Sequence, residues 1–169
     1  SNGNDDRGFA LTLSSTDQNY VLAGTTDLGA NDTYSYLLKI DASSGDTIWT
    51  REFVNNVESA AFDIIESVDP TGQPEGYAMT GSANNNDIFF LKTDLDGTTI
   101  TSTSYGDAGT DQGNAILQTS DGGYLLAGSD GLTNQVGLPT IIQVDNNGFS
   151  TWAKTYGDAT TEPFIAAAA

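Results

Sequence analysis

The chain has no cysteine and no histidine in its 169 residues. Without thiols it forms neither disulfides nor thiolate metal sites, which is compatible with any compartment. Without imidazole it lacks the commonest general base and the commonest transition-metal ligand. Basic residues are scarce too, with 5 Lys and Arg against 23 Asp and Glu and a net charge of −18. Such a field repels nucleic acid and anionic lipid, whose binding relies on Lys and Arg neutralising phosphate. It favours solubility and attracts cations. No run of 18 apolar residues occurs, so no membrane span is expected. A composition rich in Thr, Ser, Asn, Asp and Gly but poor in Lys reads as a secreted or surface protein.

What is present is a sentence written three times. Its first phrase is Tyr20-Val-Leu-Ala-Gly24, Tyr77-Ala-Met-Thr-Gly81 and Tyr124-Leu-Leu-Ala-Gly128. Its second is Leu37-Leu-Lys-Ile-Asp41, Phe90-Leu-Lys-Thr-Asp94 and Ile141-Ile-Gln-Val-Asp145. Its third is Trp49-Thr-Arg-Glu-Phe53, Thr101-Ser-Thr-Ser-Tyr105 and Trp152-Ala-Lys-Thr-Tyr156. Gly8, Ala61 and Gly113 open the units at spacings of 53 and 52. A period of this size means one supersecondary unit copied and stacked.

Each unit resolves into four short strands. In the third, Ala115–Thr119 is the first strand, Ser120–Gly123 a tight turn and Tyr124–Ala127 the second strand. Ser129–Leu138 is a polar loop, Pro139–Val144 the third strand, Asp145–Gly148 a turn and Phe149–Tyr156 the fourth strand. Glycines stand where a positive φ is needed. The second strand is apolar on both faces, hence central. Trp152, Lys154 and Tyr156 alternate along the fourth, as do Trp49, Arg51 and Phe53. No apolar spacing of 3.6 persists past one turn, so no helix is expected. Four antiparallel strands in about 50 residues make the blade of a β-propeller. A β-sandwich does not ask for equal units, and a solenoid coil needs only about 20–30 residues per turn. The expected fold is therefore an all-β, incomplete β-propeller with three blades at 6–55, 56–107 and 108–158. Residues 159–169 would begin another, since Thr161-Glu162 matches Thr110-Asp111. Nothing in the repeat requires Ala166–Ala169. They read as placeholders, and the 169 residues as a partial view of a longer chain.

The pattern formed by Asp121-Gly-Gly-Tyr124, Leu91-Lys-Thr-Asp94 and Trp152-Ala-Lys-Thr-Tyr-Gly157 resembles the blade repeat of bacterial and archaeal surface β-propellers. Such repeats are common in Bacteroidota lipoproteins and secreted proteins. The second unit departs from the pattern. Thr101 replaces Trp, and a Pro-rich insert, Val68–Gly76, replaces the Asp-Gly-Gly turn. The resemblance implies an adhesive or scaffolding protein. It also gives Ser1–Asp6 two readings, a linker between blades or the acidic stretch after a lipidated cysteine. Asp6 matches Asp111, which favours the linker. Asn31-Asp-Thr33 is a glycosylation sequon, and Asp46-Thr-Ile48 resembles the Bacteroidota O-glycosylation triplet.

No catalytic, cofactor-binding or metal-ligating residue is assigned from the sequence. Asp94–Gly97 and Asp145–Gly148 look like pieces of calcium loops but lack the EF-hand spacing, and read as turns in which Asp caps its own backbone. Asp5/Asp6 and Asp94/Asp96 are adjacent acids, whereas glycosidase chemistry needs two differently tuned carboxyls in one pocket. The loops Asn84–Asp87 and Ser129–Gln135 would gather at one end of the disc, where binding usually sits. Trp49, Trp152, Tyr20, Tyr77 and Tyr124 are expected between blades as core aromatics rather than as a sugar platform. Lys39, Lys92, Arg51 and Lys154 are expected on blade surfaces or paired with local acids. The expected function is non-enzymatic: an extracellular or outer-surface scaffold, or a recognition surface for protein or glycan, within a larger envelope assembly. The alternatives are a calcium-assisted carbohydrate-binding module, and a fragment of a propeller glycoside hydrolase or lyase. No cofactor is expected beyond weak calcium.

Overall fold

The computed structural model describes residues 5–27, 33–54, 59–83, 87–107, 109–131 and 137–157. Twelve strands and no α-helix occur among them. The first sheet holds β1 (Arg7–Leu13), β2 (Tyr20–Asp27), β3 (Thr33–Ile40) and β4 (Thr47–Glu52). The second holds β5 (Ser59–Val68), β6 (Pro74–Ala83), β7 (Asp87–Thr93) and β8 (Thr99–Tyr105). The third holds β9 (Gln112–Gln118), β10 (Tyr124–Asp130), β11 (Leu138–Val144) and β12 (Ser150–Thr155). Each is an antiparallel meander with its strands in chain order. No helix among the described residues is long and apolar enough to cross a membrane.

The strands outrun their apolar residues. Ser129 pairs with Pro139 and Asp130 with Leu138, so the expected loop from Ser129 to Leu138 gives up both ends to the ladder. The first strand likewise begins at Gln112 rather than Ala115. Backbone pairing needs no apolar side chain, which is why patterning places these ends short.

Two local devices recur. The first strand of every sheet carries a bulge, where Phe9, Phe62 and Asn114 are the residues without a cross-strand partner. Beside each bulge a carbonyl oxygen, of Arg7, Ala60 or Gln112, occupies the space a Cβ would need at Gly24, Gly81 or Gly128. That overlap is why each Tyr phrase ends in glycine. The hairpins from third to fourth strand turn through Gly45, Gly97 and Gly148 at φ of 76°, 78° and 81°. There the Asp94 and Asp145 carboxylates each accept two turn amides.

The Pro-rich stretch does not replace the first turn, as the sequence suggests. Asp69 and Gly72 make the same backbone bonds as Thr119 and Gly122. The extra length lengthens the hairpin on both sides, as the added pairs Ser67 with Gly76 and Val68 with Pro74, and leaves Glu75 skipped by the β5–β6 register.

The sheets stack in chain order. β5 lies against β1, β2 and β3, and β9 against β5, β6 and β7. The second sheet is thus covered on both faces, and period-2 alternation divides its residues between two cores. Tyr77, Met79, Phe89 and Leu91 join Val21 and Leu37 of the first sheet. Ala78, Ile88 and Phe90 join Ile116, Tyr124, Leu126 and Val144 of the third.

Candidate functional site

The seams between sheets place charge in the core. Lys39 and Lys92 are both buried, which corrects the expectation that they cover a surface. They do pair with local acids. Lys39 Nζ lies 2.7 Å from Asp17 Oδ2 and 3.4 Å from the Tyr77 hydroxyl of the next sheet. Lys92 Nζ lies 2.7 Å from Glu75 Oε1, also donates to Asn146, and sits over the Tyr124 ring. A buried ammonium is tolerable only when paired, and Glu75 reaches Lys92 from the skipped position in β6. Burial alone would raise the Asp17 carboxyl. The Lys39, Asn19 and Ser14 hydrogen bonds outweigh it and bring the pKa down to about 2.

The aromatics divide. Tyr77 and Tyr124 are fully buried at the seams, and Trp49 packs on Tyr77 with ring centroids 6.4 Å apart. Tyr20 and Trp152 are exceptions to the core expectation, at 41% and 43% exposure on the outer faces of the first and third sheets. They have repeat-equivalent positions, but among the described residues no neighbouring sheet covers them.

The most concentrated chemistry lies where the second sheet passes to the third. A cleft of about 180 Å³ there is lined by Tyr105, Asp107, Asp111, Asp130, Thr140 and Thr155 among others. One carboxylate oxygen from each of Asp107, Asp111 and Asp130 falls within 4.8 Å of the other two. Asp111 is buried, and its oxygens accept from the amides of Gly131 (2.9 Å) and Asp107 (3.2 Å). Asp130 accepts from Thr155 Oγ1 at 3.0 Å through Oδ2. Its Oδ1 is buried without a hydrogen-bond partner. Gly106 has no room for a side chain, because a Cβ would press on the carboxylates of Asp87 and Asp111. Burial, then the charges of Asp111 and Asp107, raise the Asp87 carboxyl above its ordinary value. These are hard oxygen donors, which suit Ca²⁺ or Mg²⁺ with water completing the shell.

Asp87 and Asp130 belong to the loops that the sequence marks for binding. Residues 84–86 and 132–136 of those loops lie outside the described residues, as do Asn31 and Asp32 of the sequon, Ser1–Asn4 and 158–169. In the sequence Asp107 carries no signal, and Asp111 reads only as a lead-in to a unit. Their spacing of four residues in a connecting loop carries no motif.

Asp5 pairs with Arg7, Asp6 accepts from Thr26 Oγ1 at 2.8 Å, and Asp94 and Asp96 meet within one turn. No family model and no curated protein matches the chain.

Proposed function

We propose that the three sheets are blades of a β-propeller on the outside of a microbial cell, and that the protein works without catalysis. Its role is a scaffold or a recognition surface for protein or glycan within a larger envelope assembly. The observation that carries this reading is the seam, built twice from equivalent positions. A lysine on the third strand of one sheet meets the repeated tyrosine of the second strand of the next, Lys39 with Tyr77 and Lys92 with Tyr124. Sheets joined face to face in chain order by one repeated contact are what a propeller requires. Its loops then present polar groups on a rigid support.

A second reading is favoured by the unpartnered Asp130 oxygen beside Asp107 and Asp111. It is a surface module that uses a hard cation to bind carbohydrate, with those three carboxylates as ligands and sugar hydroxyls completing the shell.

Glycan-array binding, polysaccharide turnover and association with isolated cell-envelope complexes separate the readings. Association with an envelope complex, with no turnover, supports the scaffold. Glycan binding lost on chelation and in Asp111→Asn selects the cation-assisted module. Turnover abolished by substituting a carboxylate pair overturns the non-enzymatic reading.

A further inference from the structure

Lys39 and Lys92 hold the same place in the repeat, on the third strand of their sheets, and both are buried at a seam. Their partners differ in kind. Among the described residues Lys39 meets one carboxylate, Asp17, with the Ser14 and Tyr77 hydroxyls at 3.4 Å. Lys92 meets a carboxylate and a carboxamide. Glu75 Oε1 lies 2.7 Å from its Nζ, which also donates to Asn146 Oδ1. Both groups are departures from the repeat. Glu75 is the residue that the β5–β6 register skips. Asn146 follows the turn aspartate Asp145 as Leu95 follows Asp94, and Leu95 packs against the core of the first seam. The second seam thus brings an amide to its lysine where the first has a leucine.

Burial holds these groups to one another. The Lys92 side chain is 3% exposed and lies against the Tyr124 ring. Ser67 Oγ donates to Glu75 Oε1 at 3.0 Å and steadies the carboxylate. Asn146 is exposed on its turn, so its amide is free to rotate and a leaving group has a way out. The amide carbon is one bond of about 1.2 Å beyond the oxygen that Nζ touches. Turning the amide face toward Nζ brings amine and carbon to the about 3–3.5 Å at which held groups react.

We infer that Lys92 and Asn146 become joined by an amide bond that the folded chain forms by itself, with Glu75 as its base and acid. The Lys92 ammonium gives one proton to the Glu75 carboxylate. The freed Nζ lone pair attacks Asn146 Cγ, and the carbonyl π pair moves to oxygen. Glu75 hands its proton to Nδ2 and takes a second from Nζ. The oxygen pair then re-forms the carbonyl, the Cγ–Nδ2 bond breaks and Nδ2 leaves as ammonia. Ammonia takes the proton left on Glu75 and departs as ammonium, so Glu75 ends as it began. Nothing is oxidised or reduced, and no co-reactant is consumed. The product ties the second sheet to the third across 54 residues. In a chain without cysteine, it constrains the unfolded state as a disulfide does elsewhere.

Mass spectrometry of the whole chain, denatured after folding, is expected to find it lighter than its sequence by one ammonia. Digestion at acidic residues is expected to leave the segments around Lys92 and Asn146 joined as one branched peptide. Succinimide formation at Asn147-Gly148 also releases ammonia but joins no second peptide, so the branch tells the two apart. The Lys39 seam, with no such amide, is the internal control, and its segments are expected to separate. Lys92→Arg, Asn146→Ala and Glu75→Gln are each expected at full sequence mass, with a lower thermal midpoint and unchanged circular dichroism. Unlinked segments in the wild type overturn the proposal, whatever the variants do. A link that survives in Asn146→Ala overturns the choice of Asn146. A Glu75→Gln chain linked as completely as the wild type overturns the role of Glu75.

Discussion

Tyr124 Oη and Ser67 Oγ share a hydrogen bond of 2.6 Å across the seam between the second and third sheets. The Tyr124 ring lies 4.9 Å from that of Phe90, with Lys92 over it. The phenol therefore joins packing and polar contact at one point. Tyr124→Phe keeps the ring and leaves Ser67 its bond to Glu75 at 3.0 Å, so a loss of about 1 kcal/mol is expected. Tyr124→Ala removes the ring from a filled core, with an expected loss of about 3–5 kcal/mol. Urea unfolding at constant m checks both. Equal losses would mean that the ring contributes nothing.

Gly81 and Gly122 separate two reasons for glycine. Gly122 stands at φ 85° with open space around it, so Gly122→Ala costs about 1–2 kcal/mol of backbone strain. Gly81→Ala puts a methyl group into the Ala60 carbonyl oxygen and the Phe89 ring. It must spread the bulge, at a cost of about 3 kcal/mol. The same urea experiment ranks them, and a smaller loss at Gly81 would refute the steric account of the Tyr phrase.

Asp17 sets a pH window. Its folded pKa of about 2 lies below the ordinary 3.8. Its contribution is therefore present above that ordinary value and is lost as pH falls toward 2. The thermal midpoint of Asp17→Asn should lie below that of the wild type at neutral pH and converge with it near pH 2. The turn carboxylates Asp41, Asp69 and Asp121 are also lowered, chiefly by hydrogen bonds from Ser43, Thr71 and Thr119, so the wild type itself weakens over the acid range. A gap that persists at pH 2 would show that Asp17 acts through something other than its charge.

Asp87 has the opposite sign. Burial first, then Asp111 and Asp107, raise its pKa. Its contribution is present below the ordinary carboxylate value and lost as pH rises through the raised one. Asp87→Asn should therefore raise the thermal midpoint at pH 7, and the gain should vanish in acid, where the wild-type carboxyl is protonated. Calcium, by neutralising Asp107 and Asp111, should narrow the gain. A destabilised Asp87→Asn at pH 7 would contradict this like-charge picture.

Strands, turns and their order were legible because their causes are local. Asp145-Asn-Asn-Gly148 reads as a turn since aspartate caps its own backbone and glycine accepts a positive φ. The run Tyr124-Leu-Leu-Ala127, apolar on both faces, announces a central strand. The bulges were not legible. The glycine beside each one was visible, but the carbonyl it accommodates belongs to another strand. Glu75 was hidden in the same way: a bulge inside an apparent insertion carries it to Lys92, 17 residues along the chain. The carboxylate cleft is the extreme case, since Asp87 comes from β7, Asp130 from β10, and Asp107 and Asp111 from the connection between β8 and β9.

Alone, the sequence determined three copies of a four-stranded meander, because pairing and turning depend on residues close along the chain. Only the tertiary structure decided what each copy's residues do. Tyr20, Tyr77 and Tyr124 occupy the same position in the repeat, yet the last two are fully buried and the first is exposed. The difference is the presence of a neighbouring sheet, and burial is a property of what lies opposite a residue.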